Sequence, residues 1–155
     1  MARHVWSVIC RKSVTDDKKQ LTLVDVIESI TLHEKEPLDL FEAGQEGVYV
    51  EFAFEFVSLW TRSEPEVPET GTIRHCVRSP DGVLLTQPET ALDLETRPNA
   101  RIILKVPAIP IRGTGIYEWI VQIKGPSGKW RRVAMSPLRM NFAPREPSPP
   151  AAIEP

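Results

Sequence analysis

The sequence is poor in the residues that build disulfide frameworks and metal centres. Its 155 residues include two cysteines, Cys10 and Cys76, and three histidines, His4, His33 and His75. The histidines are too scattered for a metal-binding motif, and no Cys-x-x-Cys or His-x-x-x-His pair occurs. We therefore expect no metal site and no cofactor. Both thiols are expected to be reduced and buried, with a bridge between two facing sheets as the alternative.

Long apolar runs and an export signal are also missing. No stretch approaches the roughly 18 apolar residues that a membrane-spanning helix needs. Residues 1–10 lack the apolar segment and the small-residue cleavage site of a secretory signal peptide. We therefore expect a cytoplasmic protein that has no membrane partner.

The motifs of common catalytic and nucleotide-binding sites are absent as well. Gly125-Pro-Ser-Gly-Lys129 resembles a phosphate-binding loop, but it lacks the upstream glycine and the Ser or Thr after the lysine, so it predicts a hairpin turn. No Gly-x-Ser-x-Gly elbow or Ser-x-x-Lys pair occurs, and the net charge of −2 gives no general attraction to nucleic acid. The sequence thus predicts that the protein is not an enzyme and binds no nucleic acid. The alternative is a basic patch on an outer strand face, formed by Arg62, Arg74, Arg78, Arg131 and Arg132.

Proline, by contrast, is abundant, with 15 residues in the chain, about twice the average usage of roughly 5%. Because proline avoids helix interiors and central strands, this content favours short strands joined by loops. The chain is long enough for one domain with its own hydrophobic core. We predict a single β-sandwich domain over residues 1–143 and a disordered proline-rich tail over residues 144–155.

The most informative stretch runs from Val48 to Trp60. Valine and phenylalanine recur at every second position from Val48 to Phe56. A period of two places these residues on one face of a strand. We therefore predict a central strand that is covered by an apolar layer. The predicted cover consists of an N-terminal hairpin and of strands at residues 117–123 and 138–142.

The alternation breaks at the end of this strand, and the break has two interpretations. Phe56, Val57, Leu59 and Trp60 cannot all share one face. A β-bulge at Phe56-Val57 would re-aim the chain, and this is the favoured interpretation. Without a bulge, Val57 and Leu59 lie on the outer face. In that case Val57, Leu59 and Trp60 are the candidate interaction surface, either for another protein or for self-association.

Other alternating or β-branched runs predict further strands and the connections between them. Residues 21–32 predict a long strand with a central bend, with a helix as the alternative. Residues 33–47 predict an acidic lid, and residues 87–99 predict an acidic connection. Gly115-Ile-Tyr117 resembles the tyrosine corner of immunoglobulin-like folds. Pro137 predicts a break, a bulge or an edge position.

The pattern as a whole predicts an all-β fold with about eight or nine short strands and no amphipathic helix. The fold class is an antiparallel two-sheet β-sandwich of the immunoglobulin-like or C2-like kind. The remaining predicted strands are residues 5–10, 72–78, 83–86, 101–106, 116–124, 130–134 and 138–142.

Several segments resemble a family of small uncharacterised bacterial proteins that is catalogued as a domain of unknown function. The resemblance covers about residues 4–142. It implies a β-sandwich and a bacterial origin, and it transfers no catalytic residue because its motifs are turns and core positions. The segments that carry it are Val8-Ile-Cys10, Lys19-Gln-Leu-Thr-Leu-Val-Asp-Val-Ile-Glu-Ser-Ile-Thr-Leu32, Val57-Ser-Leu-Trp60, Ser79-Pro-Asp-Gly82 and Gly115-Ile-Tyr117.

Two functions of different class follow from these features. The first is a non-catalytic interaction module that binds another protein or its own copy, motivated by the absent catalytic motifs, the proline-rich tail and the apolar outer positions. The second is a small-ligand or carbohydrate-binding sandwich that uses a surface aromatic ring as a stacking platform. The exposure of four rings separates the two functions, namely Tyr49, Trp60, Trp119 and Trp130.

Overall fold

The computed structural model describes residues 1–33 and 36–143, so the tail predicted at residues 144–155 lies outside the described residues. Within the described ranges, no helix is both long and apolar enough to cross a membrane. The elements are β1 (Arg3–Thr15), β2 (Leu21–Val26), β3 (Ser29–Leu32), α1 (Glu36–Glu42), β4 (Tyr49–Thr61), β5 (Glu69–Arg78), β6 (Leu84–Thr86), β7 (Thr90–Leu94), β8 (Asn99–Pro110), β9 (Gly115–Lys124) and β10 (Trp130–Phe142).

The strands form two sheets that pack against each other. Sheet A has the order β2-β1-β4-β8, and sheet B has the order β3-β10-β9-β5-β6, with β7 also paired to β5. The predicted all-β fold with two packed sheets is confirmed. The described chain has ten strands instead of eight or nine, and β3 pairs with β10 in parallel whereas the other described pairs are antiparallel.

The chain passes from sheet A to sheet B at Ile27 and Glu28. β2 pairs with the second half of β1 and ends near Asp25, which has a positive φ of 51°. The Ile27 N–H donates to the Ile9 carbonyl of sheet A at 2.8 Å, and the Glu28 carbonyl accepts from the Arg139 N–H of sheet B at 3.0 Å. The bend predicted in this segment is therefore present, but its two halves belong to different sheets.

Strand β4 lies in the interior of sheet A and carries core residues on its inner face. Phe54 and Phe56 pack on Trp119 of sheet B, with ring centroids 5.2 and 6.0 Å apart respectively. The imidazole of His75 lies 5.1 Å from the Phe56 ring. The predicted central strand is thus confirmed, with β9 and β10 across the core from it. The N-terminal hairpin, however, pairs beside β4 through β1 instead of covering it.

Two segments that were predicted as connections contain regular structure. β7 pairs with β5, because Leu92 and Leu94 alternate with exposed residues and are buried. α1 occupies the predicted lid, where Phe41 packs against the core and Leu40 is exposed. The prolines at positions 107 and 110 were expected to end β8, but the strand continues to Pro110. β8 is an edge strand, and a proline whose nitrogen faces the free side of an edge strand removes no hydrogen bond of the ladder.

Tyr117 ties the turn before β9 to that strand. Its hydroxyl accepts a hydrogen bond from the Arg112 N–H at 2.8 Å and donates one to the Gly113 carbonyl at 3.0 Å. Gly115 has a φ of 127°, which only glycine adopts readily. The ring of Tyr117 is buried, and this burial raises the pKa of the hydroxyl. The hydroxyl of Tyr117 therefore ties the turn at Arg112 and Gly113 to the start of β9.

Replacing Tyr117 by phenylalanine is expected to lower the free energy of unfolding by about 1–3 kcal/mol, because a partly buried N–H and a carbonyl lose their partner. Urea unfolding followed by circular dichroism measures this change. Tyr49→Phe is the matched control, since Tyr49 is exposed, and it is expected to stay within about 0.5 kcal/mol of the wild type. Equal unfolding free energies for Tyr117→Phe and the wild type would contradict the structural role of the hydroxyl.

Candidate functional site

The pairing of β4 decides between the two interpretations of its end. The register with β8 runs without interruption from Phe54 to Thr61, and the irregularity lies earlier, between Glu51 and Phe54. The bulge predicted at Phe56-Val57 is therefore wrong in position. Regular alternation then places Phe56 in the core and Val57 on the outer face of sheet A.

The interaction surface predicted at Val57, Leu59 and Trp60 is not assembled by this geometry. Trp60 lies on the inner face and is 0% exposed, because its ring belongs to the core between the sheets. Val57 lies on the outer face but is also 0% exposed, with Val8 and Ile103 directly opposite it on the neighbouring strands. Of the three, Leu59 keeps partial exposure. Val57 and Trp60 thus offer no surface to a partner, which corrects the prediction.

The four aromatic rings considered for ligand stacking have different environments. Two of them are buried in the core, namely Trp60 and Trp119. Trp130 is half-buried on β10, with the Arg74 guanidinium 4.2 Å and the Lys124 ammonium 5.4 Å from its ring centre. Tyr49, at 61% exposure, has the most open ring of the four.

Tyr49 lines a cleft of about 640 Å³ where the end of β3 meets the start of β4. Leu32, His33, Pro37 and Glu51 also line this cleft. An open phenol ring beside an imidazole and a carboxylate is able to stack on a small polar ligand and to hydrogen-bond it.

The arginines considered for a basic patch are divided between the two sheets. Arg62 follows β4 of sheet A and donates to the carbonyls of Leu94 and Glu95, both at 2.7 Å. Arg78 of sheet B forms an ion pair with Glu118 at 2.8 Å. Of these five arginines, the four on sheet B are Arg74, Arg78, Arg131 and Arg132. The five side chains therefore share no single face.

The cysteines and histidines form no metal centre among the described side chains, since no group of three His, Cys, Asp or Glu could hold an ion there. Cys10 and Cys76 are free, buried and placed on different sheets. Burial lowers the pKa of His75 to about 4, so its ring is neutral at pH 7. Its Nε2 has no hydrogen-bond partner within the described residues.

A different surface results from the crossing at Ile27 and Glu28. β1 pairs with β4 along residues 3–10 but with β2 only along residues 10–15. β10 pairs with β9 along residues 130–140 but with β3 only along residues 139–142. Within the described chain, the first part of each of these two strands therefore has one open edge. Both open edges lie on the same side of the packed sheets.

A cleft of about 450 Å³ lies between these two open edges. Three apolar side chains at the cleft are well exposed: Val26 at 59%, Ile116 at 46% and Met135 at 44%. Glu28 and Arg139 add one charge of each sign, and neither has an ion-pair partner within the described residues. We call this side the lateral face and define it by the lining residues 7–9, 26–28, 116, 135–137 and 139.

The sequence-based prediction missed the lateral face, although two of its residues carry a recognisable signal. Ile116 shares its strand phase with Glu118, and Met135 shares its phase with Arg139. In each strand, the other residues on the same face are largely polar. An apolar residue among polar ones on one strand face is typically exposed. Val26 carries no such signal, because its neighbours in the same phase are also β-branched.

Comparisons with protein-family models and with curated proteins find no match to this chain. Its function is therefore inferred from the geometry of the chain itself.

Proposed function

We propose that this protein is a non-catalytic interaction module that binds another protein, or its own copy, through the lateral face. The observation that carries the proposal is the exposed apolar cluster of Val26, Ile116 and Met135 beside an edge of β1 that no described strand pairs with. Exposed apolar clusters mark interaction sites more often than scattered apolar residues do. An open strand edge adds main-chain donors and acceptors, so that a partner strand gains both hydrogen bonds and side-chain contacts.

We also propose the finer description of the fold, an immunoglobulin-like or C2-like sandwich, and membership of the bacterial family that the sequence resembles. The hydrogen bonds of Tyr117 to the turn before β9 support the sandwich type. The free, buried thiols of Cys10 and Cys76 support a reducing, cytoplasmic location.

The double substitution Val26→Glu and Met135→Glu is expected to abolish partner binding through the lateral face. Two carboxylates would be desolvated against an apolar partner, which is unfavourable without compensating cations. The measurement is affinity capture from the native lysate with the immobilised wild-type and variant chains, quantified by mass spectrometry. We expect the amount of each reproducibly captured protein, including the chain itself, to be at least roughly tenfold lower with the variant than with the wild type.

Leu84→Glu is the matched control, because Leu84 is similarly exposed but lies on β6 at the opposite end of sheet B. It is expected to retain the captured proteins, and circular dichroism is expected to show all three chains folded. Capture that is equal for the double variant and the wild type would refute the assignment of binding to the lateral face.

A second candidate function is the binding of a small polar ligand, such as a saccharide, and the 61% exposure of Tyr49 in its cleft favours it. A panel of monosaccharides and disaccharides titrated against the protein by calorimetry is the test. We expect one of them to release heat with the wild type and not with Tyr49→Ala. No heat with any member of the panel would count against a carbohydrate site.

A further inference from the structure

We propose that the lateral face receives a second copy of this chain, with the open edge of β1 paired antiparallel to the same edge of the other copy. This inference rests on the proposed function and specifies its partner. The pairing would extend sheet A across a two-fold axis, so that each copy contributes the same surface.

The open edge of β1 differs from β8 and from the open part of β10 because its residues 5–9 lack the usual protection against pairing. Natural edge strands are protected by proline, by charged side chains or by extreme shortness. The edge strand β8 carries Lys105, Pro107 and Pro110, and the open part of β10 carries Arg132 and Pro137. Residues 5–9 of β1, Val-Trp-Ser-Val-Ile, contain neither a charge nor a proline.

The backbone of this edge is oriented for pairing. The carbonyl of Ile9 accepts the N–H of Ile27 on the side away from β4, so Ile9 turns its backbone groups toward the open side. In an antiparallel strand the N–H and carbonyl of one residue point to the same side, and this side alternates along the chain. Ser7 therefore presents both groups toward the cleft that it lines. These are the first groups that an added strand would meet.

The charges around the edge favour a second copy. If the two-fold axis passes near Val5, Arg3 of one strand faces Ser7 of the other, so no like charges stand opposite each other and the position beside Ile9 stays with Ile27. The lateral face also holds Glu28 and Arg139, which have no ion-pair partner among residues 1–33 and 36–143. A surface that carries both signs is able to complement its own copy, whereas a surface of one sign would repel it.

The exposed apolar side chains give such an interface a dry centre. Val26 and Met135 lie on either side of the cleft, one at the end of β2 and one on β10. A strand added to β1 would cover part of both, and apolar area removed from water is the main driving force for association.

Sedimentation velocity of the full chain over a micromolar concentration series tests the proposal. We expect a monomer–dimer equilibrium, and we expect Val5→Lys to raise its dissociation constant by roughly tenfold or more, because a lysine on an edge blocks strand addition. Val5 is half exposed beside the register shift of β1, so the lysine is accommodated in the monomer. Leu84→Lys is the matched control and is expected to leave the dissociation constant unchanged.

Hydrogen exchange of the wild type provides a second measurement that needs no variant. The amide of Ser7 is expected to exchange more slowly as the protein concentration rises through the dissociation constant, while amides on β6 are unaffected. A chain that stays monomeric up to the highest concentration overturns the proposal, as does a dimer that Val5→Lys leaves intact. A third outcome separates the two proposals. If the chain is monomeric but captures a different protein, and the Val26→Glu and Met135→Glu double variant loses that capture, the second copy is refuted as the partner. The proposed binding function of the lateral face is then still supported.

Discussion

Replacing Trp60 by alanine is expected to lower the free energy of unfolding by about 3–5 kcal/mol, the range for truncating a large buried aromatic side chain. Trp60 is fully buried, its Nε1 donates to Ser58 Oγ at 3.0 Å, and its ring centroid lies 5.3 Å from that of His4 in an edge-to-face contact. The substitution therefore leaves a cavity in the core and removes the partner of a buried hydroxyl. Urea unfolding followed by tryptophan fluorescence and circular dichroism measures the loss.

The neighbouring Leu59 provides the matched control for this prediction. Leu59 is partly exposed on the outer face, so Leu59→Ala removes less buried area and is expected to cost well below half of the Trp60→Ala loss. If Trp60 contributed to a docking surface and not to the core, Trp60→Ala would change partner capture without a large change in stability. That pattern would contradict the burial of Trp60 between the sheets.

Acidification from pH 7 to pH 4 is expected to remove up to about 3 kcal/mol of stability through His75 alone. Burial lowers the pKa of His75 from its ordinary value of 6.5 to about 4. Between these values the unfolded chain binds a proton at this position that the folded chain does not bind. The contribution of His75 is therefore fully present above pH 6.5 and is lost as the pH falls toward 4. Urea unfolding at a series of pH values measures this dependence.

His75→Leu is the comparison that isolates this effect from the titration of other groups. Leucine keeps the apolar contact with Phe56, whose ring centroid lies 5.1 Å from that of the imidazole, and it removes an Nε2 that has no partner in the described part of the chain. We expect the difference in stability between pH 7 and pH 4 to be smaller in the variant by about 3 kcal/mol. Burial also lowers the pKa of His4, so part of the acid sensitivity is expected to remain. Identical pH profiles for the two chains would show that His75 is not buried in neutral form.

Period-two patterns predicted the central features of the fold. The alternation from Val48 to Phe56 identified β4 and its core face, because Phe54 and Phe56 pack on Trp119 of the opposite sheet. The turn at Ser79-Pro-Asp-Gly82 and the hydrogen bonds of Tyr117 were also predictable, since both depend on a few adjacent residues. These are local properties, and local sequence is sufficient for them.

Features that depend on distant residues were not predictable. Val57 occupies the outer phase of β4, yet it is buried because Val8 and Ile103 stand beside it on strands far away in sequence. The lateral face likewise exists because β2 and β3 join different sheets, which no pattern within residues 21–32 specifies. Leu92 and Leu94 were missed because the prolines and acidic residues around them obscured a strand of five residues.

The parallel pair of β3 and β10 joins segments near opposite ends of the described chain. Contacts of such large sequence separation form late, since a long loop must close before they contribute stability. During synthesis, β3 cannot pair until β10 has left the ribosome. The nascent chain therefore carries an unpaired, aggregation-prone strand in that interval. β3 joins sheet B and not sheet A, and this leaves the lateral face open in the folded protein. The same strand is therefore the one that stays unpaired for longest while the chain is being synthesised.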